Sequence, residues 1–301
     1  MTAALELAST SLETGDPRVG VVILTYNRAD EVSRTVERML ALPERPRIVV
    51  ADNGSTDGTP ELLRWRFPEV GCLTVDGNPG AAGRNAGLAA LDTPYVAFCD
   101  DDTWWEPGSL TRAADHFDAY PRLAVVTARV LVGPENRLDP TSEIMAASPV
   151  TPRTPLPGPA LLGFLAGATV VRRSAFLQVG GFERRFFIGG EEELMTLDLL
   201  SYGWELAYVD ELAVHHHPSQ ENRDNSARRR TVTRNQLWVA WLRYPLAWAV
   251  RKTGRIILAA RTDSISRAAL LAALRELRWA LAHRRVIPRD VRRRRRQLGP
   301  I

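Results

Sequence analysis

Three consecutive carboxylates, Asp100, Asp101 and Asp102, follow the apolar run Tyr95-Val96-Ala97-Phe98-Cys99. A buried strand that ends in acids delivers them to the crevice beyond its carboxyl end, where open α/β sheets bind ligands. Three adjacent negative charges call for a cation, and oxygen-only ligands favour Mg2+ or Mn2+ over zinc. A hard cation held by one or two carboxylates keeps positions open for phosphate oxygens. The plainer alternative is a solvated acidic turn ahead of the helix that Pro107 begins. A second acidic group, Glu191-Glu192-Glu193, stands at the start of a helical pattern just after Gly189-Gly190. There it is either a source of general base for a bound hydroxyl or only favourable charge at a helix N-terminus. A third cluster, His215-His216-His217, invites a zinc reading. Neighbours on a strand point to opposite faces, so three in a row cannot bind one ion. No H-E-x-x-H or cysteine cluster accompanies them, and the zinc reading fails.

The elements that must position these groups alternate. Residues 19–26 (VGVVILTY) form a continuous β-branched run, as expected of a strand buried on both faces. Val32, Val36, Met39 and Leu40 share one helical face within 30–42. Residues 47–52, 72–75 and 95–100 read as further strands, with helices beginning near Thr59 and Arg84 between them. Strands alternating with helices imply βαβ units and a mostly parallel sheet flanked by helices. The alternation ends near Val130. Residues 131–159 are proline-rich and aperiodic, and read as a long functional loop. A strand at 164–172, a Gly180-Gly181 turn, a helix at 191–202 and a strand at 204–209 follow. Four segments result: a flexible N-terminus (1–17), a regular α/β half (18–130), a less regular half (131–220) and a basic helical extension (221–301).

The loops at the strand ends carry the remaining motifs. The first strand ends in Thr25-Tyr26-Asn27-Arg28, and the second in Asp52-Asn53-Gly54-Ser55-Thr56-Asp57-Gly58-Thr59. Asn78-x-Gly80 and Gly83-Arg84-Asn85-x-Gly87 follow. Neither G-x-G-x-x-G after the first strand nor G-x-x-x-x-G-K-[ST] is present, which excludes Rossmann dehydrogenase and P-loop chemistry. In this order, TYNR, DNGSTDGT, NxGxxxGRNxG, DDD, GGF, a double acid and HHH, the chain resembles bacterial family 2 glycosyltransferases of the GT-A fold. The resemblance runs from about residue 19 to about residue 241.

The resemblance implies a metal-dependent enzyme that moves a sugar from a nucleoside diphosphate donor to an acceptor hydroxyl with inversion. Thr25, Tyr26, Asn27, Arg28 and Asp52 would hold the base and ribose. Gly83, Arg84 and Asn85 would face the diphosphate or ribose from a glycine-rich helix start. Asp102 would ligate Mg2+ or Mn2+ directly, Asp100 would contact ribose or a metal-bound water, and Asp101 would take either role. One histidine would close the metal site, His216 first and His215 next. The usual Glu-Asp pair reads Glu191-Glu192, making Glu192 the base with Glu191 its rival. Two departures stand out: a longer Glu at the base, and Asp198 at a position where the family carries Arg. They favour, weakly, a catalytically silent glycan-binding or scaffold protein. A sugar nucleotidyltransferase would need a basic glycine-rich loop after the first strand, which TYNR is not. The acceptor would be a glycan, a lipid-linked glycan or a small molecule.

Bulk composition agrees with a globular enzyme: 301 residues, 45% hydrophobic and 25% charged. Two cysteines, Cys72 and Cys99, make no disulfide framework and suggest a reducing, cytoplasmic setting. The net charge of +4 hides an asymmetry. From Pro218 onward 21 basic residues face 5 acidic ones, while the rest of the chain is acidic. Leu270, Leu274, Leu277 and Leu281 form a stripe on a basic helix predicted over 265–282. That helix would lie peripherally on an anionic membrane's inner face, or pack on the body or a partner subunit. Five arginines at 292–296 read as a solvated, disordered end. They lack interleaved aromatics, which argues against nucleic acid.

Overall fold

A computed structural model describes residues 15–218 and 225–299. Residues 1–14 of the expected N-terminal segment, and the expected boundary near residue 220, lie outside them. The strands are β1 (Val19–Thr25), β2 (Arg47–Asp52), β3 (Gly71–Thr74), β4 (Tyr95–Asp100), β5 (Thr103–Trp105), β6 (Leu123–Val132), β7 (Arg137–Leu138), β8 (Thr169–Arg172) and β9 (Glu205–His216). They form one sheet ordered β3-β2-β1-β4-β8-β6-β9-β5, with β7 on β6. The pairs β1–β2, β1–β4, β2–β3 and β6–β9 are parallel. β8 runs antiparallel to both neighbours, and β5 runs antiparallel to β9. The α/β architecture expected from the alternation is therefore present, with a mixed second half.

Strand parity explains the two cores. Val21 and Ile23 face the helices Ala29–Leu40, Thr59–Arg66 and Ser109–Ala119, where Val36, Met39, Leu63 and Phe117 are buried. Val22 and Phe98 face the opposite layer of Leu88, Phe176, Phe182, Leu197 and Leu200. Leu237, Trp238, Trp241 and Tyr244 of the extension belong to that same core. The helix Asn225–Arg243 is thus fused to the body, and the packing alternative for the extension holds for it.

Several expectations are corrected. The strand expected at 164–172 is only Thr169–Arg172, because Ala166–Ala168 form a 3-10 turn. The loop at 131–159 contains β7 and a helix, Pro140–Ala146. Asp139 caps that helix by accepting from the Thr141 N–H at 2.7 Å, with Pro140 at its first position. The helix expected over 265–282 breaks at Glu276 into Ser264–Arg275 and Leu277–Ala282. Leu270 and Leu277 pack on the core, whereas Leu274 and Leu281 face outward. The arginine run is not a disordered end: Arg289–Gln297 is a helix. Its Val291 is buried, and buried Arg294 clasps buried Glu205 of β9 with contacts of 3.0 and 2.6 Å.

Candidate active site

β1, β2 and β4 end side by side, with Thr25 opposite Asp52 and Leu24 opposite Asp100. The crevice at their carboxyl ends gathers most of the residues named from sequence. Asp101 and Asp102 are both buried just beyond β4. Arg28 Nη1 reaches Asp101 Oδ1 at 2.5 Å and Asp102 Oδ2 at 3.1 Å. The Thr25 hydroxyl donates to Asp101 at 3.1 Å, and the Thr35 hydroxyl donates to the Asp101 carbonyl at 2.7 Å. Burial raises the Asp101 carboxyl to about 7, against the pull of Arg28 and with Asp102 and Asp100 adding to the rise.

β5 and β9 pair so that Thr103 faces His216 and Trp104 faces His215. His216 Nε2 lies 3.6 Å from Asp102 Oδ1. His215 does not join the aspartates. Its ring stacks on Trp104 at 5.3 Å and its Nδ1 meets Asn136 Oδ1 at 3.0 Å, as strand alternation requires.

Arg84 is buried and its guanidinium binds Asp100, the most open of the three acids. The chain approaches so closely there that a Cβ on Gly167 would sit 2.6 Å from Asp100 Oδ2. The Asp100 N–H donates to Thr103 Oγ1 at 2.8 Å.

Other residues named for the ligand also hold the loops. Asp52 is buried, and both its oxygens accept from Ser55: the hydroxyl on one, the N–H at 3.0 Å on the other. Asn27 ties the first two loops together, donating to Ser55 Oγ and accepting from the Thr56 N–H, each at 2.7 Å. Asn85 spends its amide on the Phe182 backbone, at 2.8 and 2.9 Å. Gly83 is a packing position, since a Cβ there would lie 2.1 Å from Asn53 Oδ1. Tyr26 remains exposed beside the crevice, open to a flat ring.

The acidic helix Glu191–Ser201 begins after Gly190, whose φ of 93° suits only glycine. The Ala166 N–H donates to Glu192 Oε1 at 2.8 Å. Burial raises the Glu192 carboxyl to about 7, with the charges of Glu191 and Asp100 adding to the rise and Arg84 opposing it. Burial raises Glu191 too, and its Oε2 has no hydrogen-bond partner among the described residues. Glu193 accepts from the Tyr244 hydroxyl, so the third acid is structural. Asp198, the departure noted in the sequence, is buried against Arg243, with contacts of 2.5 and 2.8 Å.

Sequence reasoning missed the clamp ahead of this helix. Phe187 has φ 65° and ψ −69°, and the Ile188 N–H donates to the Phe186 carbonyl at 2.8 Å. This is a γ-turn of the rarer, strained hand. Fully buried Asn235 points its amide at the carbonyls of Phe186, Ile188 and Gly189, at 2.7, 3.1 and 2.6 Å. The Ala81 N–H donates to the Phe187 carbonyl at 2.7 Å, joining the loop after β3 to this turn. No motif marks Asn235, since its partners lie 46 to 49 residues away in sequence. Asn235→Ala strands these buried carbonyls. Urea unfolding should show a loss of about 1–3 kcal/mol, and unchanged stability would remove the clamp from the account.

Asp102 and His216 supply oxygen and imidazole within the ~4 Å that two ligands of one Mg2+ or Mn2+ can span. Among the described residues no three acid, His or Cys side chains form a ready cage. This donor set fits an ion that takes its remaining ligands from water and phosphate.

The chain belongs to the glycosyltransferase family 2: the model "Glycosyl transferase family 2" matches residues 20–180, more than half of it. It is 29% identical over 273 residues to the N-acetylglucosaminyl-diphospho-decaprenol L-rhamnosyltransferase of Mycobacterium tuberculosis, covering 77% of this chain and 88% of that one. Two solved structures share the fold. The Pyrobaculum calidifontis mannosyltransferase PcManGT, in complex with GDP-Man and Mn2+, superposes with TM-score 0.57 at 19% identity, over 89% of this chain and 72% of that one. S. aureus TarS 1-349 with UDP-GlcNAc gives TM-score 0.59 at 14% identity, over 88% and 81%. The protein is a glycosyltransferase of the GT-A fold.

Proposed function

We propose that the protein transfers a sugar from a nucleoside diphosphate donor to a hydroxyl of a lipid-linked glycan, inverting the anomeric carbon in one displacement. The observation that carries this reading is that one turn joins the two acids: Ala166 N–H donates to Glu192 at 2.8 Å, and the next residue, Gly167, abuts the Asp100 carboxylate that Arg84 binds. A group suited to remove a proton and the groups suited to the donor therefore border one crevice. The mycobacterial relative's name supports a polyprenyl-diphosphate acceptor and puts rhamnose first among the sugars to test.

In this reading the acceptor oxygen bonds to the anomeric carbon as the bond from that carbon to the diphosphate breaks. The electron pair leaves on the diphosphate, and the hydroxyl proton passes to Glu192. Ala166 N–H holds one Glu192 oxygen and leaves the other to take the proton. Arg28 keeps Asp101 and Asp102 together, and Arg84 fixes Asp100. Asp102 and His216 would hold Mg2+ or Mn2+, with Asp100 at the margin of the site. When bound, that ion offsets the charge growing on the leaving diphosphate.

The test is a thermal shift against a panel of nucleoside diphosphates, each with and without Mn2+ or Mg2+. One nucleotide should raise Tm, and more so with metal. At 100 times its Kd a ligand adds about 2.7 kcal/mol. No response to any nucleotide with either metal would overturn the reading in favour of a silent scaffold.

A further inference from the structure

We propose that the helix Leu246–Ala259 is a docking surface for an anionic lipid bilayer. This extends the lipid-linked acceptor reading to the surface that would bring the enzyme to such an acceptor. Its helical periodicity separates two faces. Ala249 is buried, Ile256 packs on the core, and Thr253 accepts from the Trp241 indole at 3.0 Å. The other face carries Leu246, Val250, Ile257 and Leu258, exposed by 70%, 62%, 47% and 63%. At 100° per residue these four and Gly254 fall within an arc of about 120°. Four large aliphatic side chains this open on one helix exceed the scattered exposure normal for a soluble surface.

Charge selects the occupant. Residues 245–262 contain Arg251, Lys252, Arg255 and Arg261 and no acid. Arg251 borders the apolar arc beside Leu258, Arg255 follows one turn on along the same side, and both are exposed. An apolar stripe with cations along one edge and no acids matches the boundary between headgroups and acyl chains of an anionic bilayer. A second copy of the same face would set cation against cation. No helix among the described residues is long and apolar enough to cross a membrane, so the contact would be in the plane of the interface. The segment 265–282, for which sequence left membrane contact and packing both open, turns Leu270 and Leu277 inward and Leu274 and Leu281 outward. Only a short turn at Pro245 separates the surface from the helix Asn225–Arg243, whose Asn235 grips the loop before Glu191.

The test is co-sedimentation of the full-length protein with phosphatidylglycerol–phosphatidylcholine vesicles and with pure phosphatidylcholine vesicles. Binding to the anionic vesicles, weakened by salt, is expected. Leu246→Glu/Val250→Glu/Leu258→Glu should reduce it by ~10-fold or more with Tm unchanged. Arg251→Gln/Arg255→Gln, which leaves the aliphatic face intact, should also reduce it. Wild-type protein that stays in the supernatant, or binds neutral vesicles equally well, overturns the proposal. So does a triple variant that binds like wild type, or a wild-type dimer that the triple variant turns into monomer without any vesicle binding. No turnover is needed. Vesicle binding with no response to nucleotides would therefore sink the proposed function and leave the surface standing.

Discussion

Glu192→Gln should lower turnover by ~10²–10⁴-fold while leaving the thermal shift with nucleoside diphosphate intact. The amide keeps the size of the side chain and can still accept from Ala166 N–H, but it cannot take a proton. The wild-type pH profile should carry the same signature. A base works only when ionised, and burial raises Glu192 to about 7. Wild-type kcat/KM should therefore fall as pH drops through about 7 and level off above it, and the variant should lose that limb. Glu191 and Glu192 share a buried site, so the limb reports the pair. Glu191→Gln supplies the counter-test. If it removes the limb and Glu192→Gln does not, the base is Glu191.

Arg243→Ala should destabilise the protein by about 3–5 kcal/mol in urea unfolding. Arg243 grips both oxygens of buried Asp198 at 2.5 and 2.8 Å and also donates to the carbonyls of Leu242 and His283. Removing it leaves a buried carboxylate uncompensated on the helix that carries Glu192. Arg285 stands 3.9 Å from the second Asp198 oxygen but is mostly exposed, and cannot replace a bidentate partner. Replacing both members, Arg243→Leu with Asp198→Leu, should recover much of the loss, because no charge is then stranded. A single substitution that costs under about 1 kcal/mol would show the pair to be dispensable.

The legible parts of this chain are those whose causes are local in sequence. The unbroken runs of β1, β2 and β4 announced themselves because strands buried on both faces leave no polar gaps. The acids at their ends follow from strand direction alone. The meeting of Arg28 with Asp101, and of Arg84 with Asp100, was expected only as membership of one site. What could not be read was division of labour within a motif. Asn85 and Asp52 sit where ligand residues were expected, and they also hold the chain in place, Asn85 through the Phe182 backbone and Asp52 through Ser55. The extension was legible as basic but not as buried. A guanidinium enters a core only opposite a matched carboxylate, and nothing local links Arg294 to Glu205, or Arg243 to Asp198. Asp198 departs from the Arg that the family pattern implies, and its partner lies 45 residues downstream, out of reach of a local reading.

That distance governs when the enzyme can take shape during synthesis. Glu205 must wait 89 residues for Arg294, and the Phe186–Gly189 carbonyls wait more than 45 for Asn235. As the chain leaves the ribosome, β1 to β4 can pair with what has already emerged. The helix of Glu192 cannot, since the groups that neutralise and clamp it are still inside the tunnel or not yet made. Pairing of β1 to β4 can therefore begin co-translationally, while the layer that covers Val22 and Phe98 and the helix of Glu192 must wait for the extension.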